Sequence, residues 1–233
     1  MNMSLSKRLA AAVAYVREGS VLSDVGTDHA YLPIYAVENG LAKRAIASDI
    51  NDGPLKNAES NIKKHGLSDK ISCVLTSGFD GLDSFGITDA VIAGMGGELI
   101  ADIVNAADFI KTDGFRLVVQ PMTMLDTARS ALFRLGFSIL NEYVLKEDGK
   151  FYTVISAEYT GISSEENDVF TLTYGEPSKR DYESDEVRSE FYRREAGKYE
   201  RIIAGKRSAG ICVCEEETIL KKLTERAMKN DKS

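Results

Sequence analysis

The chain has 233 residues, 43% of them hydrophobic and 28% charged, with a net charge of -7, which is the balance of an ordinary globular protein of one domain or one domain with an appendage. The longest apolar run, Leu9 to Val16, has eight residues, against the roughly 18 of a membrane span, so no membrane partner is expected. The start of the chain has a helical pattern but no apolar core followed by a cleavage site, so no signal peptide is expected. The three cysteines, Cys73, Cys212 and Cys214, make no disulfide framework and hold no second pair for a metal; a reducing cytoplasm and no metal site are expected.

Residues 4–18 predict an amphipathic helix, with Leu5, Leu9, Val13 and Val16 on one face, Ser4 or Ser6 as cap and Gly19 as stop. Val21 to Val25 is the first strand. It runs into Ser23-Asp24-Val25-Gly26-Thr27-Asp28-His29-Ala30-Tyr31-Leu32-Pro33, and a helix follows over 31–39. Arg44 to Ile50 is the second strand, ending in Asp49. Pro54 opens a helix with Leu55, Ala58 and Ile62 on one face, and Ile71 to Leu75 is the third strand. Ser77 to Gly81 is a loop. Ala90 to Ala93 is a fourth strand, whose continuous apolar run suits a sheet covered on both faces. Gly94-Met95-Gly96-Gly97 leads to a helix with Leu99, Ile100, Ile103 and Val104 inward. Phe115 to Val119 is the fifth strand, and a helix over 123–135 turns Leu125, Leu132 and Leu135 inward.

The pattern then changes. Phe137 to Leu145 and Lys150 to Tyr159 are both strand-like, and Asp148-Gly149 between them signals a hairpin. Parallel βα units that end in a hairpin give an α/β fold of the Rossmann-like class I methyltransferase type, with an antiparallel strand closing the sheet. Residues 160–180 are polar and predict a connector. Residues 184–207 and 215–229 predict two helices, a C-terminal helical hairpin. Two domains are therefore expected, residues 1–160 for a nucleotide-type cofactor and residues 161–233 as connector and helical, coiled-coil-like appendage.

Charge divides along the same line. From Ser178 onward there are 14 Lys and Arg against 12 Asp and Glu, so the rest of the chain is at -9. Residues 188–207 hold seven basic and three acidic groups. That stretch is either a solvated helix or the contact for a polyanion.

The turn at Gly26 is the focus of the expected chemistry. A strand, a glycine turn and a helix bring backbone N–H groups toward a ligand. Asp49 stands at the end of the second strand, where a carboxylate accepts both ribose hydroxyls of a nucleoside. Asp80 is placed to accept from an adenine amino group. Gly94 and Gly96 let the chain pass close to cofactor and substrate. Each residue also has a plain structural reading: Asp49 as a cap, Asp80 as a turn residue, the glycines as relief of crowding, His29 as a satisfied turn histidine. Of the three glycines in the usual acidic-x-Gly-x-Gly-x-Gly string only Gly26 is present, so that pattern does not choose between cofactors.

The strings D-V-G-T-D-H-A-Y-L-P at 24–33, S-D-I-N at 48–51, A-G-M-G-G at 93–97 and V-Q-P-M at 119–122 together resemble the bacterial tRNA (adenine-N1)-methyltransferase family that modifies adenine 22. The resemblance covers residues 5–160 as motifs and the helical hairpin as architecture. It implies S-adenosylmethionine as methyl donor and tRNA as acceptor. By motif, Asp24, Gly26 and Asp28 lie along the methionine end of the donor, Asp49 holds its ribose and Asp80 its adenine. Thr27, Ile50, Phe79, Ala93 and Gly94 complete the donor set. Ala93, Gly94 and Met95 border the acceptor base, with Met95 and Tyr31 packing against it. Asp28 is the expected electrostatic partner of the methylated base, so Asp28, Gly94 and Met95 form the expected catalytic group. The helical hairpin is implied to contact tRNA. Oligomeric state is left open. The alternative on the same sheet is a class I methyltransferase with another acceptor: other RNA, protein or a small molecule.

Overall fold

The apolar runs become strands of one sheet, and the amphipathic stretches between them become the helices that cover it. The computed structural model describes residues 5–166 and 168–228; Ser4 and Lys229, at the ends of two expected helices, lie outside them. In chain order the elements are α1 (Lys7–Val13), β1 (Ser20–Val25), α2 (Tyr31–Glu38), β2 (Ala42–Asp49), α3 (Asp52–Lys64), β3 (Ile71–Leu75), β4 (Asp89–Gly96), α4 (Gly97–Ala106), β5 (Arg116–Thr123), α5 (Leu125–Arg134), β6 (Phe137–Glu147), β7 (Lys150–Tyr159), α6 (Val169–Tyr174), β8 (Arg180–Tyr182), α7 (Asp185–Ser208) and α8 (Cys214–Met228).

Strand order is β3-β2-β1-β4-β5-β7-β6-β8. β1 pairs in parallel with β2 and β4, and β5 pairs antiparallel with β7. The order reverses at β1 and β4; β1 ends at Val25 opposite Ile92, while β4 runs on beside β5 to Gly96, past the expected end at Ala93. The loop after β1 therefore starts beside the last residues of β4, at the strand ends where open α/β sheets bind ligands. The core lies between sheet and helices, with Val21, Ile46, Ile92, Ile100, Leu117, Leu132 and Phe137 buried in one cluster.

The chain divides into two compact units, residues 1–143 with 152–180, and residues 144–151 with 181–233. This differs from the expected cut after residue 160. The polar stretch 161–180 contains α6, whose Phe170 and Tyr174 are buried. It belongs to the first unit because fully buried Arg129 of α5 donates to the backbone carbonyls of Leu172 and Thr173 at 2.6 and 2.9 Å. Arg129 also pairs with Glu142 at 2.6 Å, and Glu142 with Arg180 at 3.2 Å. Composition alone hid this tether, since a buried arginine reads like a surface one.

In the second unit, Phe151 meets Phe191 edge-on at 5.5 Å. Ser184 caps α7 by accepting from the Val187 N–H at 3.2 Å. Ile203 of α7 and Leu223 of α8 are buried, while Ile202 is exposed.

Two further corrections concern helices. α1 is shorter than the expected 4–18, spanning Lys7–Val13 with Ser6 accepting from the Leu9 N–H at 3.4 Å. Leu99 of α4 is 51% exposed while Ile100 and Val104 are buried; with 3.6 residues per turn, Leu99 falls off the face that its neighbours bury.

Candidate active site

Asp24 is the last polar side chain of fully buried β1. Burial pushes its carboxyl up to about 6; a hydrogen bond from Thr27 opposes the shift and the nearby charge of Asp49 adds to it. Thr27, itself buried, links two groups, because its hydroxyl also accepts from the Ala30 N–H at 3.1 Å. That contact helps hold Ala30 in the left-handed region, φ 55°, at the start of α2, which has no side-chain cap. The first N–H groups of α2 are thus left facing the loop.

Gly26 has φ 81°. A β-carbon there would collide with the terminal methyl of Met95. The loop after β1 therefore touches the Met95 side chain near the end of β4; the positive φ calls for glycine, and any side chain there would also displace the Met95 methyl. The Gly26 and Thr27 N–H groups both donate to the Ser48 carbonyl, at 2.8 and 2.9 Å, and the Thr76 N–H donates to the Asp49 carbonyl at 3.0 Å. These bonds stitch together the ends of the first three strands. Asp49 itself accepts from the Asn51 N–H at 2.7 Å through one carboxylate oxygen, beside Ile50, which is 66% exposed.

Asp28 projects into solvent, 72% exposed, with His29 Nε2 3.2 Å from its Oδ2. The His29 ring stacks on Tyr31 with centroids 5.1 Å apart. The structure thus brings Asp24, Gly26, Thr27, Asp49 and Met95 together at the ends of β1, β2 and β4, with exposed Asp28 next in the chain.

Phe79 and Asp80 are arranged differently. The Phe79 ring is buried edge-on against Phe109 at 5.7 Å, so its side chain serves the core and only its backbone is left for a ligand. Asp80 is exposed, and its carbonyl accepts from the Thr76 hydroxyl at 2.8 Å. Both line a cavity of about 570 Å³ with Leu99, Asp102, Ile103 and Phe109. That cavity does not include Asp24, Gly26 or Asp49.

Near the end of β4, Gly94 is exposed with φ 82°, next to half-buried Ala93 and Met95. A β-carbon on Gly94 would lie 3.4 Å from Arg8 Nη1. Arg8 donates to Gln120 Oε1 at 3.2 Å and lies over the Tyr152 ring at 5.8 Å. Gln120 is fully buried and its amide donates to the Pro121 carbonyl at 3.0 Å. Sequence reasoning missed Arg8 and Gln120. Gln120 carried a usable signal, a lone amide at the end of an apolar strand. Arg8 carried none, since it stands on a short helix more than a hundred positions away. Among the described residues no cluster of three or more metal-ligating side chains occurs, and no helix is long and apolar enough to cross a membrane.

The chain is similar to known methyltransferases. Residues 5–155 match the family described as a methyltransferase domain. Over 169 residues, 69% of this chain and 71% of the relative, the chain is 41% identical to the tRNA (adenine(22)-N(1))-methyltransferase of Bacillus subtilis. Among solved structures, the crystal structure of the B. subtilis m1A22 tRNA methyltransferase is 30% identical with a TM-score of 0.73, covering 97% of each chain. A Streptococcus pneumoniae protein crystallised in complex with S-adenosyl-L-methionine is 32% identical with a TM-score of 0.78, covering 94% of this chain and 99% of that one.

Proposed function

The chain belongs to the tRNA (adenine(22)-N(1))-methyltransferase family, and from that premise we propose that it methylates N1 of adenine 22 in tRNA with S-adenosylmethionine as donor. The observation that carries the reading is the contact between Gly26 and Met95. It joins the donor-type loop after β1 to the Ala-Gly-Met-Gly-Gly stretch that ends β4 and opens α4, with buried Asp24 just before that loop.

The residues present fit the donor. A buried carboxyl raised to about 6 is suited to a cationic amino group, whose charge restores the ionised form. Asp24, Gly26, Thr27 and Asp28 take the methionine end. Asp49, fixed by the Asn51 N–H, takes the ribose, and exposed Ile50 covers the adenine. Asp80 and the backbone at Phe79 lie at the adenine edge, and Ala93 and Gly94 close the near side.

Bound S-adenosylmethionine supplies an electrophilic methyl group, which adenine N1 takes by direct in-line attack. N1 carries its lone pair at neutral pH, so the chain need not supply a base, and the acceleration comes mainly from positioning. Met95 and Tyr31 pack against the acceptor base once it is unstacked from the tRNA. Exposed Asp28 stabilises the positive charge that the base acquires. Arg8, held by Gln120 beside Gly94, lines the acceptor side. In the second unit, exposed Arg193, Arg194, Lys198, Arg201 and Arg207 on α7 provide the phosphate-contacting surface.

The test is to incubate the chain with labelled S-adenosylmethionine and unmodified tRNA, digest the RNA and identify the labelled nucleoside. 1-Methyladenosine is expected. Label on any other nucleoside refutes the acceptor atom.

A further inference from the structure

Cys212 and Cys214 stand in the turn between α7 and α8, both exposed, with their sulfurs 3.1 Å apart. Neither side chain packs in the core and neither has a place in methyl transfer. The turn is tightly built: Gly210 has φ 68° and the Ile211 N–H returns to the Lys206 carbonyl at 2.9 Å. Cys214 is the first residue of the 15-residue helix α8, so Cys212 lies just before a helix N-terminus, which favours an anion.

We propose that Cys212 and Cys214 are a reactive dithiol that exchanges with a low-molecular-weight disulfide to close a reversible disulfide across this turn. The Cys212 thiolate attacks one sulfur of the small disulfide. Its S–S bond breaks, and one small thiolate leaves and takes a proton from water. Cys214 then gives its proton to solvent and attacks the Cys212 sulfur, expelling the second small thiolate. Two protein thiols are oxidised, and one small disulfide is reduced to two thiols.

The surroundings assign the order. The Cys212 thiol is held below its ordinary value, first by the Cys214 thiol and then by the Cys214 backbone N–H; burial opposes this, the Val213 N–H adds to it, and Glu216 opposes it least. The Lys206 ammonium also feels the Cys212 charge. The Cys214 thiol is pushed up, chiefly by Cys212. That makes Cys212 the attacking sulfur and Cys214 the resolving one. Cys73 is the internal contrast, since burial, with Glu59 adding, pushes its thiol up to about 11.

The test treats the reduced full-length chain with oxidised glutathione and reads intact and peptide masses without reductant. Wild type is expected to lose two hydrogens within the peptide holding both cysteines, to retain no glutathione, and to revert with dithiothreitol. Cys214→Ser should retain one glutathione on Cys212. Cys212→Ser should react more slowly, since the Cys214 thiol has fewer backbone N–H donors than the Cys212 thiol, and Cys73 should stay unmodified in all three proteins. Both positions are exposed, so serine is tolerated, and an unchanged circular dichroism spectrum checks this. Glutathione retained on wild type, chain-to-chain cross-links, or equal rates in the two variants would overturn the proposal.

Discussion

The terminal methyl of Met95 occupies the space that a β-carbon on Gly26 would need. The loop after β1 and the end of β4 thereby meet through this side chain. Gly26→Ala meets both this collision and the strain of φ 81°, which is roughly 1–3 kcal/mol for a residue other than glycine. The expected result is at least ~10-fold weaker binding of S-adenosylhomocysteine with a modest fall in Tm. Adding Met95→Ala should recover part of the loss, because it removes the collision and leaves the strain. Titration calorimetry on the single and double variants checks this, and no recovery would show that the loop and the end of β4 are not coupled.

Asp24 sets a pH dependence. Its carboxyl is raised from 3.8 to about 6, so the ionised form is disfavoured in the folded chain. The stability associated with the protonated form is complete below pH 3.8 and is lost as pH rises through about 6. Asp24→Asn should therefore be more stable than wild type at pH 8, by on the order of 3 kcal/mol, and the gap should close toward pH 4. Donor binding should change the other way, weakening at pH 8 by at least ~10-fold as a charge-assisted contact is lost. Denaturant melts and donor titrations across that range test both, and a gap that does not vary with pH would contradict the assignment.

Arg8 should separate the two halves of the site. Arg8→Ala is expected to lower kcat on the order of 10-fold while leaving the Kd for S-adenosylhomocysteine within ~2-fold. Arg8→Lys keeps the charge but not the forked geometry, and should recover only part of the rate. A parallel loss of donor binding would place Arg8 on the donor side instead.

The buried set Arg129, Glu142 and Arg180 should be a stability determinant. Burial pushes the Glu142 carboxyl up, but the two arginines outweigh it and hold it below its ordinary value. Its stabilising contribution is then present above the unfolded value of 4.5 and is lost as pH falls through the lower folded value. Glu142→Gln leaves two buried guanidiniums short of a counter-charge and should destabilise by about 3–5 kcal/mol at pH 7. The difference from wild type should shrink in acid, as read by denaturant melts at pH 7 and below pH 4.

Much of the architecture was legible in the amino-acid order because local signals agreed. β3 and β7 begin and end where their apolar patterns do, and Asp148-Gly149 makes its hairpin with both residues at positive φ. Asp24, Gly26 and Asp49 could be read as a candidate donor site because residue type and strand position coincide there. What stayed hidden depended on partners distant in the chain. Arg129 fixes the stretch 161–180 to the first unit through contacts across 43 and 44 positions, and Arg8 reaches Gln120 across 112. The Phe79 ring turned inward because Phe109 lies opposite, which its place after a strand does not reveal.

Methyl transfer to N1 of adenine 22 is tested most directly by offering the full-length chain two tRNA transcripts that differ only in adenine or guanine at position 22, with labelled S-adenosylmethionine. The adenine transcript should take up one methyl group per molecule as 1-methyladenosine, with a primer-extension stop at position 22, and the guanine transcript should take up none. Equal labelling of the two transcripts, or a stop elsewhere on the adenine transcript, would contradict the assignment.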